Sequence, residues 1–368
     1  MVARFLFYSI FAVYPLGLIV YFPIASQGKI PFLDIITCLF IISTLFVRNP
    51  VKKIFLKKQI LIFLFVSLLA IAINMILKNH YSISDLFYFI RISFYFLFYI
   101  RIFFVFNKSN AFRINWILLI SGFVFSAFGL LQYLLYPDLR NLMYLGWDPH
   151  YFRLFSTVFD PNFAGIIIVL TFFQLIFIMW LDKKSVYRFL YPLLIIILLV
   201  AIYLTRSRSA YLSFISGMIV LIFFKKYINK MLIGVTAIVI LLSSFIPKPA
   251  FNVLDTFRVS SSISRVNNWL IALKLGFANI LTGVGYSEAS FSDSSLLYIF
   301  GATGILSLAA LFNVLFKIFR FSLKKDKELF VITVVVIVSS FFNNTLFYPF
   351  VAVWFFAFLA SSVIRYSS

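Results

Sequence analysis

The chain has 368 residues, of which 63% are hydrophobic and only 12% are charged. This composition excludes an ordinary soluble domain, and runs of roughly 20 apolar residues along the whole length predict transmembrane helices. The single cysteine, Cys38, excludes a disulfide framework, and two histidines, His80 and His150, are too few for a His/Cys zinc cluster. The formal charge of +21 raises the possibility of nucleic-acid binding, which the placement of the basic residues must decide.

The apolar runs predict an all-α, polytopic integral membrane protein with about 12 transmembrane helices. The predicted spans are about 3–22, 30–47, 59–77, 86–100, 114–136, 161–181, 189–204, 210–224, 231–247, 294–316, 329–343 and 346–364. We therefore expect residues 1–368 to form a single multi-pass membrane domain. Two connections are long, about 137–160 and 248–293, and the second is expected to contain a short amphipathic helix.

The basic residues predict the orientation of the bundle. If the N- and C-termini are cytoplasmic, 21 of the 32 lysines and arginines fall in cytoplasmic segments, as the positive-inside rule requires. Most of the positive charge then anchors the topology against membrane lipids. Nucleic acid is not an expected partner.

Eight basic residues lie on the outer side, against this bias. They are Arg140, Arg153, Arg206, Arg208, Lys248, Arg258, Arg265 and Lys274. Snorkelling at the membrane interface accounts for any one of them. It does not account for two arginines in the four-residue turn of "YLTRSRSAYLS". Because guanidinium groups bind diphosphate through paired hydrogen bonds, the cluster predicts a diphosphate site, although anionic lipid headgroups would explain it equally well.

Within the second long connection, apolar residues recur at helical spacing. The stripe consists of Ile263, Val266, Leu270, Leu273 and Phe277. Serines at 260–262 and 264 are candidate caps for the start of this helix. We expect the helix to lie on the outer membrane surface and to pack against the bundle.

Some acidic residues have both a structural and a functional interpretation. Asp293 directly precedes the tenth span, where it is either a helix cap or a base beside the arginines. Asp160, followed by Pro161, is more typical of an ordinary helix start. Asp34 and Arg91 lie just inside predicted spans, where they either snorkel or pair with each other.

Other catalytic motifs are absent from the sequence. It contains no H-E-x-x-H, no G-x-x-x-x-G-K-[ST] and no cysteine pair. No outward D-x-D pair is available for a divalent ion, and no histidine neighbours the serines beside Arg206. We therefore expect a metal-independent reaction that uses no cofactor.

Three segments together resemble the bacterial O-antigen polymerase/ligase superfamily of polytopic glycosyltransferases. They are "RLFSTVFDPNFAG", "YLTRSRSAYLSFISG" and "SRVNNWLIALKLGFANILTGVGYSEASFSDSSLLYIFGATGIL". They occur in the family's order over about 150–310, with a Ser/Arg turn between two spans and a long loop that ends in G-x-G. The first 110 residues are similar only in being hydrophobic.

This resemblance implies an undecaprenyl-pyrophosphate-linked oligosaccharide as the substrate, at the periplasmic face of the bacterial inner membrane. It places the protein in surface polysaccharide and lipopolysaccharide biosynthesis, with a chain-length regulator as a further candidate partner. The ligase branch has a histidine in the large loop just before the following span. Here Asp293 stands in that place and neither histidine lies in that loop, which favours the polymerase branch.

On this interpretation the outward residues divide into three roles. Arg206, Arg208 and Arg265 hold the pyrophosphate, while Arg153 and Arg258 position a sugar or the second phosphate. Asp293 accepts the proton of the hydroxyl that attacks the anomeric carbon, a contribution typically worth about 10²–10⁴ in rate.

Two other functions remain open from the sequence. An O-antigen ligase would use the same donor. A lipid-linked oligosaccharide flippase, or another transporter, also needs cationic sites, but it should place them along a mid-bilayer cavity between repeated halves.

Overall fold

The computed structural model describes residues 1–24, 28–47, 54–77, 83–181, 190–224, 251–290 and 292–366, with the backbone alone for a few of them, including 251–262. The helices, numbered along these residues, are α1 Val2–Val13, α2 Phe32–Leu45, α3 Lys57–Leu77, α4 Ile83–Val105, α5 Lys108–Leu135, α6 Pro161–Leu181, α7 Leu190–Thr205, α8 Arg208–Phe223, α9 Phe251–Ala278, α10 Ser295–Lys325, α11 Lys327–Phe342 and α12 Pro349–Tyr366. Two short strands, β1 Tyr21–Ile24 and β2 Gly28–Pro31, form an antiparallel hairpin.

The helices form the bundle of a polytopic membrane protein, as predicted. Among the described residues, six helices are long and apolar enough to cross a membrane: α3, α4, α5, α6, α10 and α12. Four shorter apolar helices, α1, α2, α7 and α8, accompany them. The predicted span at 231–247 lies outside the described residues.

Helices α6 and α12 form the centre of the bundle. Both are apolar on every face, and such helices are stable only when neighbours surround them. Most of the side chains of α12 are buried, with Trp354 stacked on Phe358 at 5.3 Å between ring centroids. The other helices therefore pack around α6 and α12.

The first predicted span, about 3–22, is wrong in its length. Helix α1 ends at Val13, and a 3-10 turn, Tyr14–Leu16, follows it with Pro15 inside. Gly17 then adopts a φ of +58°, and a Cβ there would lie 2.4 Å from the backbone oxygen of Thr157. The chain turns here because it passes directly against the segment before α6.

Helix α10 is kinked at Gly304, whose φ of 77° and ψ of −175° are not helical. The kink interrupts the regular i to i−4 hydrogen bonds and leaves backbone groups to be satisfied elsewhere. Because unpaired backbone groups cost several kcal/mol each in a bilayer, a second segment has to supply the partners.

That second segment is the "LTGVGY" turn of the long loop. The bonds run from Val284 N to Gly301 O at 2.8 Å, from Gly285 N to Ala302 O at 2.9 Å and from Ile305 N to Ile280 O at 2.8 Å. The G-x-G turn thus docks on the kink and replaces its missing helical bonds. This contact fixes where the loop returns to the bundle just before Asp293.

A buried carboxylate of α4 also binds the same loop. Asp85, near the start of α4, accepts hydrogen bonds from Ser287 N at 2.6 Å and from Ser287 Oγ at 2.8 Å. Further along α4, Arg91 forms an ion pair with Asp34 of α2 at 3.0 Å. Of the two possibilities given for these residues, snorkelling or a mutual pair, the structure shows the pair.

Helix α9 corrects the prediction for the long loop in two respects. It begins at Phe251 and runs through the serines at 260–262 and 264, which therefore do not cap its start. The helix packs on the bundle as predicted, but its apolar stripe is largely exposed: Phe277 is 66% exposed and meets the ring of Phe300 edge-on, at 5.3 Å between centroids. The close approach to α10 is made by Ala272 and Gly276, and Gly276 leaves no room for a Cβ beside Phe300. An exposed apolar stripe of this kind is typical of contact with lipid.

Candidate functional site

A cavity of about 730 Å³ lies at the end of the bundle where α6, α8 and α10 begin and α7 and α11 end. The arginine, aspartate and histidine residues in its lining are Arg140, Arg153, Arg206, Arg208, Arg265, Asp148, His150, Asp160 and Asp293. Five of the six residues predicted for the site are therefore brought together. The sixth, Arg258, lies in the part of α9 whose side chains are outside the described residues. Of the other outward basic residues, Lys248 is also outside the described residues, and Lys274 does not line the cavity.

The Ser/Arg turn between α7 and α8 forms one wall of the cavity. Arg206 has a φ of +49°, a left-handed conformation that is uncommon for residues other than glycine. Ser207 caps α8 by accepting a hydrogen bond from Ala210 N at 3.3 Å. Arg206 and Arg208 flank this cap, so both belong to the positive end of the helix dipole, which favours an anionic ligand.

Arg153 fastens the first long connection to the end of α7. Its Nε donates to Thr205 O at 3.1 Å and its Nη2 to Arg206 O at 3.4 Å, while Leu154 N donates to Leu204 O at 2.9 Å. The guanidinium therefore satisfies carbonyl groups of the last helical turn. Arg153 lines the cavity as predicted. Two of its guanidinium nitrogens, Nε and Nη2, donate to the backbone of the turn.

Arg140, which was counted among the outward basic residues but given no role of its own, also lines the cavity. It forms a short ion pair with Asp138 at 2.7 Å and lies over the ring of Tyr151 at 4.1 Å. Its bonds to Asp138 lower the pKa of that carboxyl. Arg140 thus stiffens the first connection at the mouth of the cavity.

Asp293 and Arg265 lie next to each other in the lining of the cavity. Their Oδ2 and Nε atoms lie 3.8 Å apart. Burial raises the pKa of Asp293, while Arg265 pulls it down and the carboxylates of Asp160 and Asp148 push it up further. A carboxylate tuned upwards beside a cation is the kind of group that accepts a proton during catalysis.

The cap interpretation of Asp293 is wrong. Helix α10 begins at Ser295, its N-cap residue is Ser294, and no side chain caps it. By contrast, the cap prediction for Asp160 is confirmed, since its Oδ1 accepts hydrogen bonds from Asn162 N at 2.6 Å and Phe163 N at 3.2 Å.

Asp148, His150 and Asp160 form a second cluster on the cavity wall, here named the aspartate–histidine group. One ligand atom from each lies within 4.8 Å of the others, a spacing that could hold a metal ion. Burial lowers the pKa of His150 to about 4, so its imidazole is neutral at pH 7. Two of these side chains, Asp148 and His150, stand two residues apart in the "WDPH" stretch, and this spacing is a local sign of the group in the sequence.

The positive surroundings oppose a cation in the aspartate–histidine group. Arg153 contributes to the lowered pKa of His150, and Asp160 already serves the start of α6. Five arginines against three aspartates leave the cavity positive overall. Its size is within the range of about 300–1,000 Å³ that is usual for ligand pockets, and its charge suits an anion.

The comparisons with known proteins concern the same region. The family model described as O-antigen ligase matches residues 193–308, about a third of the chain. The matched segment includes the Ser/Arg turn, α9, the G-x-G turn and Asp293. A search of curated proteins gives no match. Residues 193–308 therefore match the O-antigen ligase family, which supports a place for the chain in the O-antigen polymerase/ligase superfamily and does not distinguish the two branches.

Proposed function

We propose that this protein is a polysaccharide polymerase of the bacterial inner membrane. It transfers a glycan from undecaprenyl pyrophosphate to the non-reducing end of another lipid-linked repeat unit, with the cavity facing the periplasm. The observation that carries the proposal is the single cavity in which four of the predicted arginines meet Asp293.

The charge of the cavity supports a diphosphate as the ligand. Five arginines and three aspartates leave an excess of two positive charges when all are ionised. A diphosphate linked to lipid and sugar carries one negative charge on each phosphate. Arg206, Arg208 and Arg265 would bind these phosphates and stabilise the charge on the leaving pyrophosphate as its bond to the sugar breaks.

Asp293 would act as the general base for the acceptor hydroxyl. The attacking hydroxyl forms a new bond to the anomeric carbon, the bond from that carbon to the phosphate oxygen breaks, and the hydroxyl proton passes to Asp293. Direct displacement by the acceptor inverts the configuration at that carbon. The arginines supply the positive charge that a divalent ion supplies elsewhere, so we propose that the reaction needs no metal.

A ligase is the second candidate, because His150 lines the same cavity. The long loop contains no histidine, and this absence favoured the polymerase branch. The fold brings a histidine to the cavity from the other connection, where its imidazole is neutral at pH 7. A ligase would transfer the glycan to a lipid A core instead of a repeat unit.

The surface polysaccharide of a strain lacking the gene separates these candidates. Lipid A core that carries one repeat unit, with the ladder lost, would support the polymerase. Bare core together with long chains on undecaprenyl pyrophosphate would establish the ligase instead. Single units trapped on the cytoplasmic leaflet would indicate a flippase and refute both.

Reconstitution gives the decisive biochemical comparison. Purified protein in proteoliposomes receives undecaprenyl-pyrophosphate-linked repeat units, with and without lipid A core. The polymerase forms longer lipid-linked chains without core, whereas a ligase forms product only when core is present.

A further inference from the structure

A continuous line of side-chain hydrogen bonds runs beneath the cavity. Ser207 Oγ donates to Asn162 Oδ1 at 2.7 Å, and the hydroxyl groups of Ser207 and Ser209 lie 3.0 Å apart. Asn343 Nδ2 donates to Ser209 Oγ at 2.8 Å, and Arg265 Nη2 donates to Asn343 Oδ1 at 3.4 Å. The line therefore joins the start of α6, the Ser/Arg turn, the end of α11 and helix α9.

The number of protons on each group determines which group donates in each of these hydrogen bonds. Ser207 has a single hydroxyl proton, which it donates to Asn162, so Ser209 must donate to Ser207. Ser209 in turn accepts from the amide of Asn343. Because a guanidinium only donates, the oxygen of the Asn343 amide must face Arg265 and its nitrogen must face Ser209. Each of these polar side chains then has a partner, and Asn343 is the link between the two arginine-bearing segments.

The backbone of Asn343 is fixed independently of its side chain. Its N–H donates to Ser339 O at 2.9 Å, and its carbonyl accepts from Ser295 N and Ser295 Oγ, both at 3.3 Å. The residue is 5% exposed. Asn343 is thus anchored where α11 ends and α10 begins, and it projects its amide from that rigid junction.

The two segments that it joins are far apart in the chain. Arg265 belongs to α9, in the long loop, whereas Ser209 belongs to the first turn of α8 beside Arg206 and Arg208. A diphosphate held by both segments needs their guanidinium groups at a set separation, since misplacement by about 1 Å can cost about a hundredfold. The neighbouring contact of Arg265 is the 3.8 Å pair with Asp293. A fixed amide at Asn343 keeps Arg265 from swinging wholly towards that carboxylate.

We infer that Asn343 is a positioning residue that sets Arg265 against the Ser/Arg turn, so that the two arginine-bearing segments bind one diphosphate together. The inference rests on the diphosphate function proposed above. It assigns Asn343 no contact with the reacting atoms.

The test is the binding of radiolabelled undecaprenyl pyrophosphate to the full-length protein in nanodiscs. We expect Asn343→Ala to raise the dissociation constant about tenfold, the usual order for the loss of one well-placed charged contact. Ser340→Ala is the matched control, because this buried hydroxyl bonds only to Val336 O of its own helix. Its dissociation constant should equal that of the unsubstituted protein.

A double-substitution cycle separates positioning from a general structural role. If Asn343 acts through Arg265, the variant with both Asn343→Ala and Arg265→Ala binds no more weakly than Arg265→Ala alone. A merely structural residue would instead lower the amount of folded protein and leave the affinity of the folded fraction unchanged. The apparent melting midpoint of each variant is therefore recorded beside its affinity.

Each outcome has one meaning. Unchanged affinity in folded Asn343→Ala, or additive losses in the cycle, overturns the inference. If Asn343→Ala does not fold, Ser209→Ala decides: weakened binding supports the inference and unchanged binding overturns it. If the unsubstituted protein fails to bind the probe, the proposed diphosphate function fails and the inference falls with it.

Discussion

The kink of α10 gives a prediction that does not depend on the reaction. Gly304 is the point where this membrane helix breaks and where the G-x-G turn of the long loop docks. Replacing it with alanine should destabilise the protein far more than the same change at Gly146. Gly146 also has a positive φ, of 79°, but lies in the first long connection.

The magnitude follows from the local geometry. A residue other than glycine at the φ and ψ of Gly304 costs about 1–3 kcal/mol in backbone strain. A Cβ there would lie 2.5 Å from the carbonyl carbon and oxygen of Leu281, which are backbone atoms, so the loop has to move away. That movement breaks the three docking hydrogen bonds, at about 0.5–1.5 kcal/mol each. Together these losses lower the free energy of unfolding by about 3–7 kcal/mol.

Gly146→Ala provides the matched control. Its ψ of 22° places it in the ordinary left-handed region, and nothing lies within 4 Å of an added Cβ. The free energy of unfolding should therefore fall only by the cost of a left-handed conformation for alanine, about 1–2 kcal/mol.

The assay is thermal unfolding of both variants in one detergent, followed by intrinsic fluorescence. Gly304→Ala should show much the larger fall in apparent melting midpoint. It should also lose transferase activity, since the docked loop leads directly to Asp293. Equal midpoints for the two variants would refute the docking argument, because an added Cβ meets the docked loop at position 304 and meets nothing at position 146.

The remaining predictions concern the cavity. Arg206→Lys should raise KM for the lipid-linked donor about tenfold or more, because lysine makes no paired contact with phosphate, whereas Arg320→Lys near the far end of α10 should not. Asp293→Asn should lower kcat about 10²–10⁴. Since burial raises the pKa of Asp293, activity should fall on acidification with a midpoint above the ordinary aspartate value of about 3.9, and Arg265→Ala should move that midpoint upwards. Chelation of divalent cations should leave the transferase rate unchanged; a loss reversed by added magnesium would refute the metal-independent reaction.

Local patterns in the sequence predicted the elements that local physics controls. Helix α6 is observed at Pro161–Leu181, the predicted span, because Asp160 caps it and Pro161 occupies its first position. The Ser/Arg turn also falls where the apolar runs break, between Thr205 and Arg208. In both cases the boundary depends on residues within one helical turn of it.

Long-range packing decided the features that were predicted wrongly. Helix α1 ends early because Gly17 lies against Thr157, a residue 140 positions away in the chain. Asp293 is not a cap because it turns towards Arg265 of another helix. Likewise, the apolar stripe of α9 faces outwards, since the small residues Ala272 and Gly276 are what allow close approach to α10. No spacing within a single segment carries this information.

The composition of the cavity was predictable only in part for the same reason. The arginines were identified from their charge against the topological bias. His150 and Asp148 belong to a connection with no helical or motif pattern, so nothing local connects them to Asp293. Arg153, in the same connection, donates to Thr205 O at the end of α7. This contact brings the connection, with Asp148 and His150, to the cavity that contains Asp293.

The cap of the Ser/Arg turn comes from neither Arg206 nor Arg208, which supports the proposal that these arginines bind a ligand. Its helix cap is Ser207, and the carbonyl groups at the end of α7 are bonded by Arg153 from another segment. A glycine at 206 would adopt the observed φ of +49° without the left-handed penalty of about 1–2 kcal/mol. Arg206→Gly should therefore keep or raise the melting midpoint while weakening the binding of undecaprenyl pyrophosphate. A fall in both quantities would mean that the Arg206 side chain holds the turn together, and the diphosphate argument would then rest on Arg208 and Arg265 alone.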